Sequence, residues 1–138
     1  MKKIIAILLI VLLMPMECFA QSYPDSNPDP NAPPERPHLT RSMGVFDGIS
    51  GKETYYNLPM GKCISVMRDL GYDNDTYPFW IRGDGAKMLG EYVMCACDYD
   101  IRPRGTIIET SLGMAIVVDT GAFASGKVTT QIDLCTDW

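Results

Sequence analysis

The chain has 138 residues, of which 46% are hydrophobic and 21% charged, and its formal net charge is −5. With 12 Lys and Arg against 17 Asp and Glu, it lacks the basic footprint that displaces counterions from phosphates, which argues against nucleic acid as a partner. The single histidine, and the lack of a Gly-x-Ser-x-Gly elbow, a phosphate loop or a metal-ligand cluster, exclude the commonest nucleophilic and metal-dependent chemistries, so neither metal nor cofactor is expected.

In chain order, Met1-Lys2-Lys3 supplies a positive start, and the apolar run from Ile4 to Met16 is too short to span a bilayer as a stable helix. Cys18-Phe19-Ala20 puts small residues at the positions a signal peptidase reads. Residues 1–20 therefore read as a cleavable secretory signal, with the mature protein beginning at Gln21 and working outside the cytoplasm, in the cell envelope or beyond. Losing Lys2, Lys3 and Glu17 with that leader makes the remainder one unit more acidic. No later stretch approaches membrane-spanning length, so no stable insertion is expected after cleavage.

Residues 21–41 are crowded with Pro24, Pro28, Pro30, Pro33, Pro34 and Pro37 among Asp, Asn and Ser, and read as a disordered tether with little to bury. Residues 42–138 remain as one small domain, expected to be a monomer.

Cys63, Val66, Met67 and Leu70 fall at helical spacing, with Pro59 in a first turn after a possible Asn57 cap and Gly71 closing the end. Five β-rich runs follow: Tyr77–Arg82, Glu91–Cys97, Gly105–Glu109, Gly113–Asp119 and Gln131–Cys135, with Asp84-Gly85 as a hairpin turn. Many short strands and one short helix predict a mainly β fold, a small barrel closed on itself. Met88, Met94 and Met114 read as packing residues.

Once Cys18 leaves with the signal, Cys63, Cys95, Cys97 and Cys135 enter an oxidising compartment, where two disulfides can form. Cys95 and Cys97, two apart in a strand, point to the same face, and a bridge between them would be strained. The expectation is that one joins Cys135 and the other Cys63. Two alternatives stand beside it: buried free thiols packing as small hydrophobes, and a zinc site on Cys-x-Cys plus a distant Cys.

The acid/base capacity left in the domain is its carboxylates. Asp119 ends the apolar run Ala115-Ile116-Val117-Val118, and Asp133 lies between Ile132 and Leu134. Burial of Asp133, and a like charge on Asp119 if the strands adjoin, would each raise the Asp133 pKa. A protonated carboxyl that reaches a glycosidic oxygen can cleave a sugar chain by acid catalysis. The structural alternative is that both aspartates are turn caps or hydrogen-bond anchors. Tyr55, Tyr56 and Trp80 are candidate stacking platforms for sugar faces, set against the ordinary role of strand aromatics in a core.

The segments Ala96-Cys97-Asp98-Tyr99-Asp100-Ile101-Arg102-Pro103-Arg104-Gly105-Thr106, Gly113 to Gly121 with its Asp119-Thr120-Gly121, and Ile132-Asp133-Leu134 together resemble the 3D domain, named for three aspartates. The three would correspond to Asp98, Asp119 and Asp133. That family is similar to the C-terminal part of MltA-type lytic transglycosylases and to RlpA and expansin-like proteins, which share a six-stranded double-psi β-barrel. Gly44–Tyr56 resembles the opening of such barrels.

The resemblance implies a secreted protein acting on a cell-wall polysaccharide, in bacteria peptidoglycan. It implies a lytic-transglycosylase-like or glycosidase activity with Asp133 as general acid and base and Asp119 orienting the site. Asp98 and Thr120 would support it, and Tyr55, Tyr56, Trp80 and Lys127 would contact substrate. The link from Ala122 to Gln131 is a few residues longer than the family's usual one. The alternatives are a non-catalytic, expansin-like wall-binding module, and an accessory domain that needs a partner enzyme, since so small a domain has little room for a deep groove.

Overall fold

The computed structural model describes residues 36–125 and 131–138, so the expected leader, most of the expected tether and Lys127 lie outside the described residues. The elements are β1 (Phe46–Gly48), β2 (Gly51–Tyr56), α1 (Gly61–Asp69), β3 (Phe79–Ile81), β4 (Lys87–Leu89), β5 (Tyr92–Ala96), β6 (Ile107–Thr110), β7 (Gly113–Asp119), a single 3₁₀ turn (Ala122–Ser125) and β8 (Ile132–Cys135). The protein is mainly β with one helix, and no described helix is long and apolar enough to cross a membrane.

The eight strands form one mixed sheet in the order β1-β2-β8-β5-β4-β3, which branches because β7 also pairs with β5 and carries β6 on its far side. The expected barrel, six strands closed on themselves, is replaced by a sheet that stays open. Among the described residues β1, β3 and β6 each have one partner strand and so form free edges. Strand β3 lies inside the expected run Tyr77–Arg82, whereas the three-residue strands β1 and β4 are too short to be singled out by alternation.

Strand β5 organises the core because both of its faces are covered. Val93, Cys95 and Cys97 pack with Ala115, Val117, Ile132 and Leu134 on one face. Met94 packs with Ile116, Val118 and Cys135 on the other, beneath Met67 of α1. A strand buried on both faces reads as a continuous apolar run, which is how residues 93–97 read.

Helix α1 ends in a Schellman motif. The Gly71 amide donates to the Arg68 carbonyl at 2.9 Å and the Tyr72 amide to that of Met67 at 3.1 Å, with Gly71 at φ +97°. Its N-cap is Met60, without a side-chain bond. Asn57, the expected cap, instead accepts a hydrogen bond from Lys87 Nζ at 2.6 Å. The Asp84-Gly85 turn joins β3 to β4, with the Arg82 amide donating to the Ala86 carbonyl at 2.9 Å. Met88 and Met94 are buried as expected, whereas Met114 on β7 is exposed.

At the β1–β2 hairpin, Glu53 is fully buried, and burial raises its pKa against the opposing Ser111 hydrogen bonds. The Ser111 amide donates to Oε1 at 2.8 Å, and the Ser111 hydroxyl donates to Oε2. A Cβ added at Gly48 would lie 2.0 Å from Glu53 Oε1, so a side chain there must push the carboxyl off Ser111. Gly48→Ala should cost about 1–3 kcal/mol, read as a lower urea midpoint at unchanged slope. Gly61→Ala, where an added Cβ meets nothing within 4 Å, should leave the midpoint unchanged or slightly raised.

Candidate functional site

The register of three strands sets the two aspartates side by side. Ala96 of β5 pairs with Asp133 of antiparallel β8 on one side and with Asp119 of parallel β7 on the other. Paired residues in a sheet share a face, so the two carboxyl side chains flank the Ala96 methyl, with about 10 Å between their backbones. Simple alternation would have aimed Asp119 elsewhere. Ala115 and Val117 pack on one face and Ile116 and Val118 on the other, so the next position should return to the Val117 side.

The ladder steps once from Cys95 to Ala96 while β7 steps twice, from Val117 to Asp119. That single extra residue in β7 is a bulge, and it turns Asp119 onto the face of Val118 and α1. Strand β7 stays attached through the irregularity, since the Cys97 amide donates to the Asp119 carbonyl at 3.0 Å.

Asp133 is held from β2. Thr54 Oγ1 donates to Asp133 Oδ1 at 2.7 Å, and Gln131 Nε2 donates to Thr54 Oγ1 at 3.0 Å, which commits the Thr54 hydroxyl proton to the carboxyl. Burial raises the Asp133 pKa, and the Thr54 hydrogen bond opposes the rise. The expected push from Asp119 is absent: no charge on that residue contributes, in keeping with two strand spacings between them.

Asp119 has its own partners. Tyr56 donates its hydroxyl to Oδ2 at 3.3 Å, and the Thr120 amide donates to Oδ1 at 2.9 Å. The Cys63 thiol of α1 also hydrogen-bonds to this carboxylate, although burial comes first in raising the Cys63 pKa and Asp119 second. Arg104 lies 5.2 Å from the centre of the Tyr99 ring and donates to the Val118 carbonyl. The Tyr99 hydroxyl is buried, and the Arg104 guanidinium is its polar neighbour.

The other expected site residues divide by sheet face. Tyr56 joins Asp119, but Tyr55, its neighbour in β2, points the opposite way. It packs on Trp138 with ring centroids 4.4 Å apart. Trp80 is also on that opposite side, within the cluster that holds Cys95 and Val117, and its Nε1 donates to the Gly90 carbonyl at 2.8 Å. Tyr55 and Trp80 are therefore not gathered with the aspartates, because a period of two sends adjacent strand residues to opposite faces.

Asp98 is buried and caps a turn, accepting from the Asp100 amide at 3.0 Å. Thr120 contributes its backbone amide to Asp119. Lys127 lies outside the described residues. Sequence reading passed over Thr54 and Gln131, whose only signal was a hydroxyl at an alternate position of a strand facing the Ile-Asp-Leu run. Among the described residues Cys63, Cys95, Cys97 and Cys135 are free thiols. No group of three or more His, Cys, Asp or Glu among the described residues is placed to hold a metal.

Two clefts open away from the aspartates. One, of about 320 Å³, is bordered by Phe46, Asp47, Glu109 and Ser111. The other, of about 280 Å³, is bordered by His38, Arg41, Leu112 and Trp138. Compared with protein-family models, curated proteins and solved structures, the chain finds no match in any of the three.

The raised pKa of Asp133 has a consequence for stability. The folded state holds this proton more tightly than the unfolded chain, so the group's contribution is fully present below the unfolded carboxyl range and is lost as pH rises through the raised folded value. Asp133→Asn, which keeps an acceptor for Thr54, should therefore raise the melting temperature more at pH 7 than at pH 4. Equal shifts at the two pH values would contradict a carboxyl strained by burial.

Proposed function

We propose that this protein is an exported, cell-wall-active domain that cleaves peptidoglycan or a related glycan, with Asp133 as proton donor. The observation that carries the reading is a half-buried carboxyl with a raised pKa, held by one hydrogen bond and set abreast of a second carboxylate on one sheet face. The resemblance to the 3D domain supplies the substrate class. The relationship to double-psi barrels belongs to the same proposal, supported by a mixed ladder in which antiparallel β5–β8 is flanked by the parallel pairs β2–β8 and β5–β7.

In this reading the Thr54 hydroxyl occupies Oδ1, which leaves the acid proton on Oδ2 of Asp133. That proton passes to the oxygen between muramic acid and glucosamine units as the glycosidic bond breaks. The resulting carboxylate then takes the proton of the sugar's own 6-hydroxyl as it closes an anhydro ring, so the acid is regenerated without an attacking water. Asp119, held by the Tyr56 hydroxyl and the Thr120 amide, orients the site beside the reacting linkage.

A second reading, a wall-binding module that does not cut, is favoured by Trp138. It is half-exposed beside Tyr55 and borders the smaller cleft, a platform on which a sugar face can stack.

Digestion of purified peptidoglycan separates the two. Wild type should release muropeptides with anhydro ends and Asp133→Asn should lose roughly 100-fold or more of that rate. Co-sedimentation with sacculi and no products from either protein would establish the binding module instead. Thr54→Val removes the hydrogen bond that holds the Asp133 pKa down, so the fall in activity with rising pH should move to higher pH. An unmoved limb with lowered activity would reduce Thr54 to a packing role.

A further inference from the structure

The four thiols fall into two pairs on opposite faces of the central sheet. Cys95 and Cys97 are both buried in the cluster built on Val93, Ala115, Val117 and Leu134. Their thiols hydrogen-bond to one another, and the Arg102 side chain also bonds Cys97. Cys135 is buried in the opposite cluster, and Cys63, half-buried on α1, packs against that same cluster. Tyr56 shares a hydrogen bond with Cys135 and is close enough to Cys63 to feel its charge, so both thiols border the same tyrosine. Burial pushes the Cys135 thiol up to about 11, and Cys63 is also raised, first by burial and then by Asp119.

A disulfide needs Cα atoms within about 7 Å and Cβ atoms that face each other. Four cysteines allow three pairings in all. Two of the three join a thiol of one face to a thiol of the other, across strands β5 and β8. Those strands are hydrogen-bonded to each other through Cys95–Leu134 and Ala96–Asp133, so the backbone of the sheet stands in the path of either crossed bridge.

We propose that the folded protein admits one pairing under oxidation, Cys95 with Cys97 and Cys63 with Cys135, and that this replaces the crossed pairing expected from the strain of a Cys-x-Cys bridge. Two strand rises separate Cys95 from Cys97, about 6.6 Å, the upper end of what a disulfide spans. That bridge is the strained and more reducible one. Its strain is eased because Cys97 lies one residue past the end of β5 and leads into the turn at Asp98. Cys63–Cys135 ties α1 to β8 on the face that carries both aspartates.

The chemistry is thiol–disulfide exchange with a disulfide oxidant such as glutathione disulfide. The partly exposed Cys63 thiolate attacks the oxidant directly and releases one glutathione thiol, and a thiolate of the fully buried Cys95 and Cys97 pair does the same when local opening admits the oxidant. For each bridge, the second protein thiolate then attacks the mixed disulfide and releases the other. Two protein thiols are oxidised, two glutathione sulfurs are reduced, and the two protons end on glutathione. This inference is independent of the glycan reading.

The test is to oxidise a reduced, folded full-length chain carrying Cys18→Ser, the wild type for this purpose because it leaves only these four thiols, with glutathione disulfide, block residual thiols with an alkylating agent, and map peptides without reduction. The wild type should lose the alkylation of Cys63, Cys95, Cys97 and Cys135, with cross-linked peptides for 95–97 and 63–135 alone. Cys95→Ser should retain the 63–135 bridge and leave Cys97 open to glutathione or the alkylating agent. A bridge from Cys95 or Cys97 to Cys63 or Cys135, in either protein, overturns the assignment. So does a folded wild type that keeps all four thiols while the urea-unfolded chain forms bridges.

Discussion

The arrangement of the candidate site depends on the backbone of Ala96, which is paired on both sides at once. Its antiparallel partner is Asp133 and its parallel partner is Asp119, so one residue with a methyl side chain fixes both carboxyl groups on a common face. A one-residue slip of either neighbour would send that carboxyl to the opposite face. On the β7 side the natural alternation is already wrong by one, and the extra residue between Val117 and Asp119 corrects it. The sheet around this point is buried on both faces, which opposes any slip by exposing apolar side chains along the whole strand.

Two carboxyl groups in the domain have a pKa raised first by burial, and their surroundings distinguish a structural acid from a chemical one. Glu53 has no exposed surface, accepts from both the amide and the hydroxyl of Ser111, and is roofed by Gly48. Its hydrogen-bonding capacity is committed to joining the β1–β2 hairpin to the turn after β6. Asp133 is only partly buried, and one donor, Thr54, bonds one of its oxygens. It combines a perturbed affinity for a proton with a second oxygen that no described residue bonds, the pairing that general acid catalysis requires.

The strands of the C-terminal half were legible because their apolar runs are bounded by glycine and aspartate. Gly113–Asp119 was read with its observed limits, and Asp84-Gly85 closes the turn it was expected to close. The Cys63-to-Gly71 helix was likewise visible in its spacing. The fold's global shape was not, because β1, β3 and β4 have three residues each and their pairing partners lie far apart in sequence or across tight turns. The aspartate pair was nameable from its motif, but its geometry rests on a bulge that composition does not reveal. Tyr55 and Tyr56 show the limit from the other side: adjacent and chemically alike, they belong to different faces. The tilted Tyr55–Trp138 ring contact joins residues 83 positions apart, beyond the reach of local pattern.

Division of the domain by face bears on what a glycan would meet. On the aspartate face Tyr56, Tyr72, Tyr77 and Tyr92 pack against the core, and the Tyr56 hydroxyl is already bonded to Asp119. Burial, followed by the neighbouring thiol of Cys135 and the charge of Asp119, raises its pKa, so it remains a neutral donor throughout the pH range in which Asp133 titrates. The stacking surface contributed by Tyr55 and Trp138 is on the far side of a sheet whose strands leave no gap at β5. A sugar chain bound there cannot present its linkage to Asp133. In the proposed reading, cutting and aromatic gripping would thus fall on separate faces of the sheet, and a loss of binding on changing Trp138 would report on one face while leaving the acid of the other untouched.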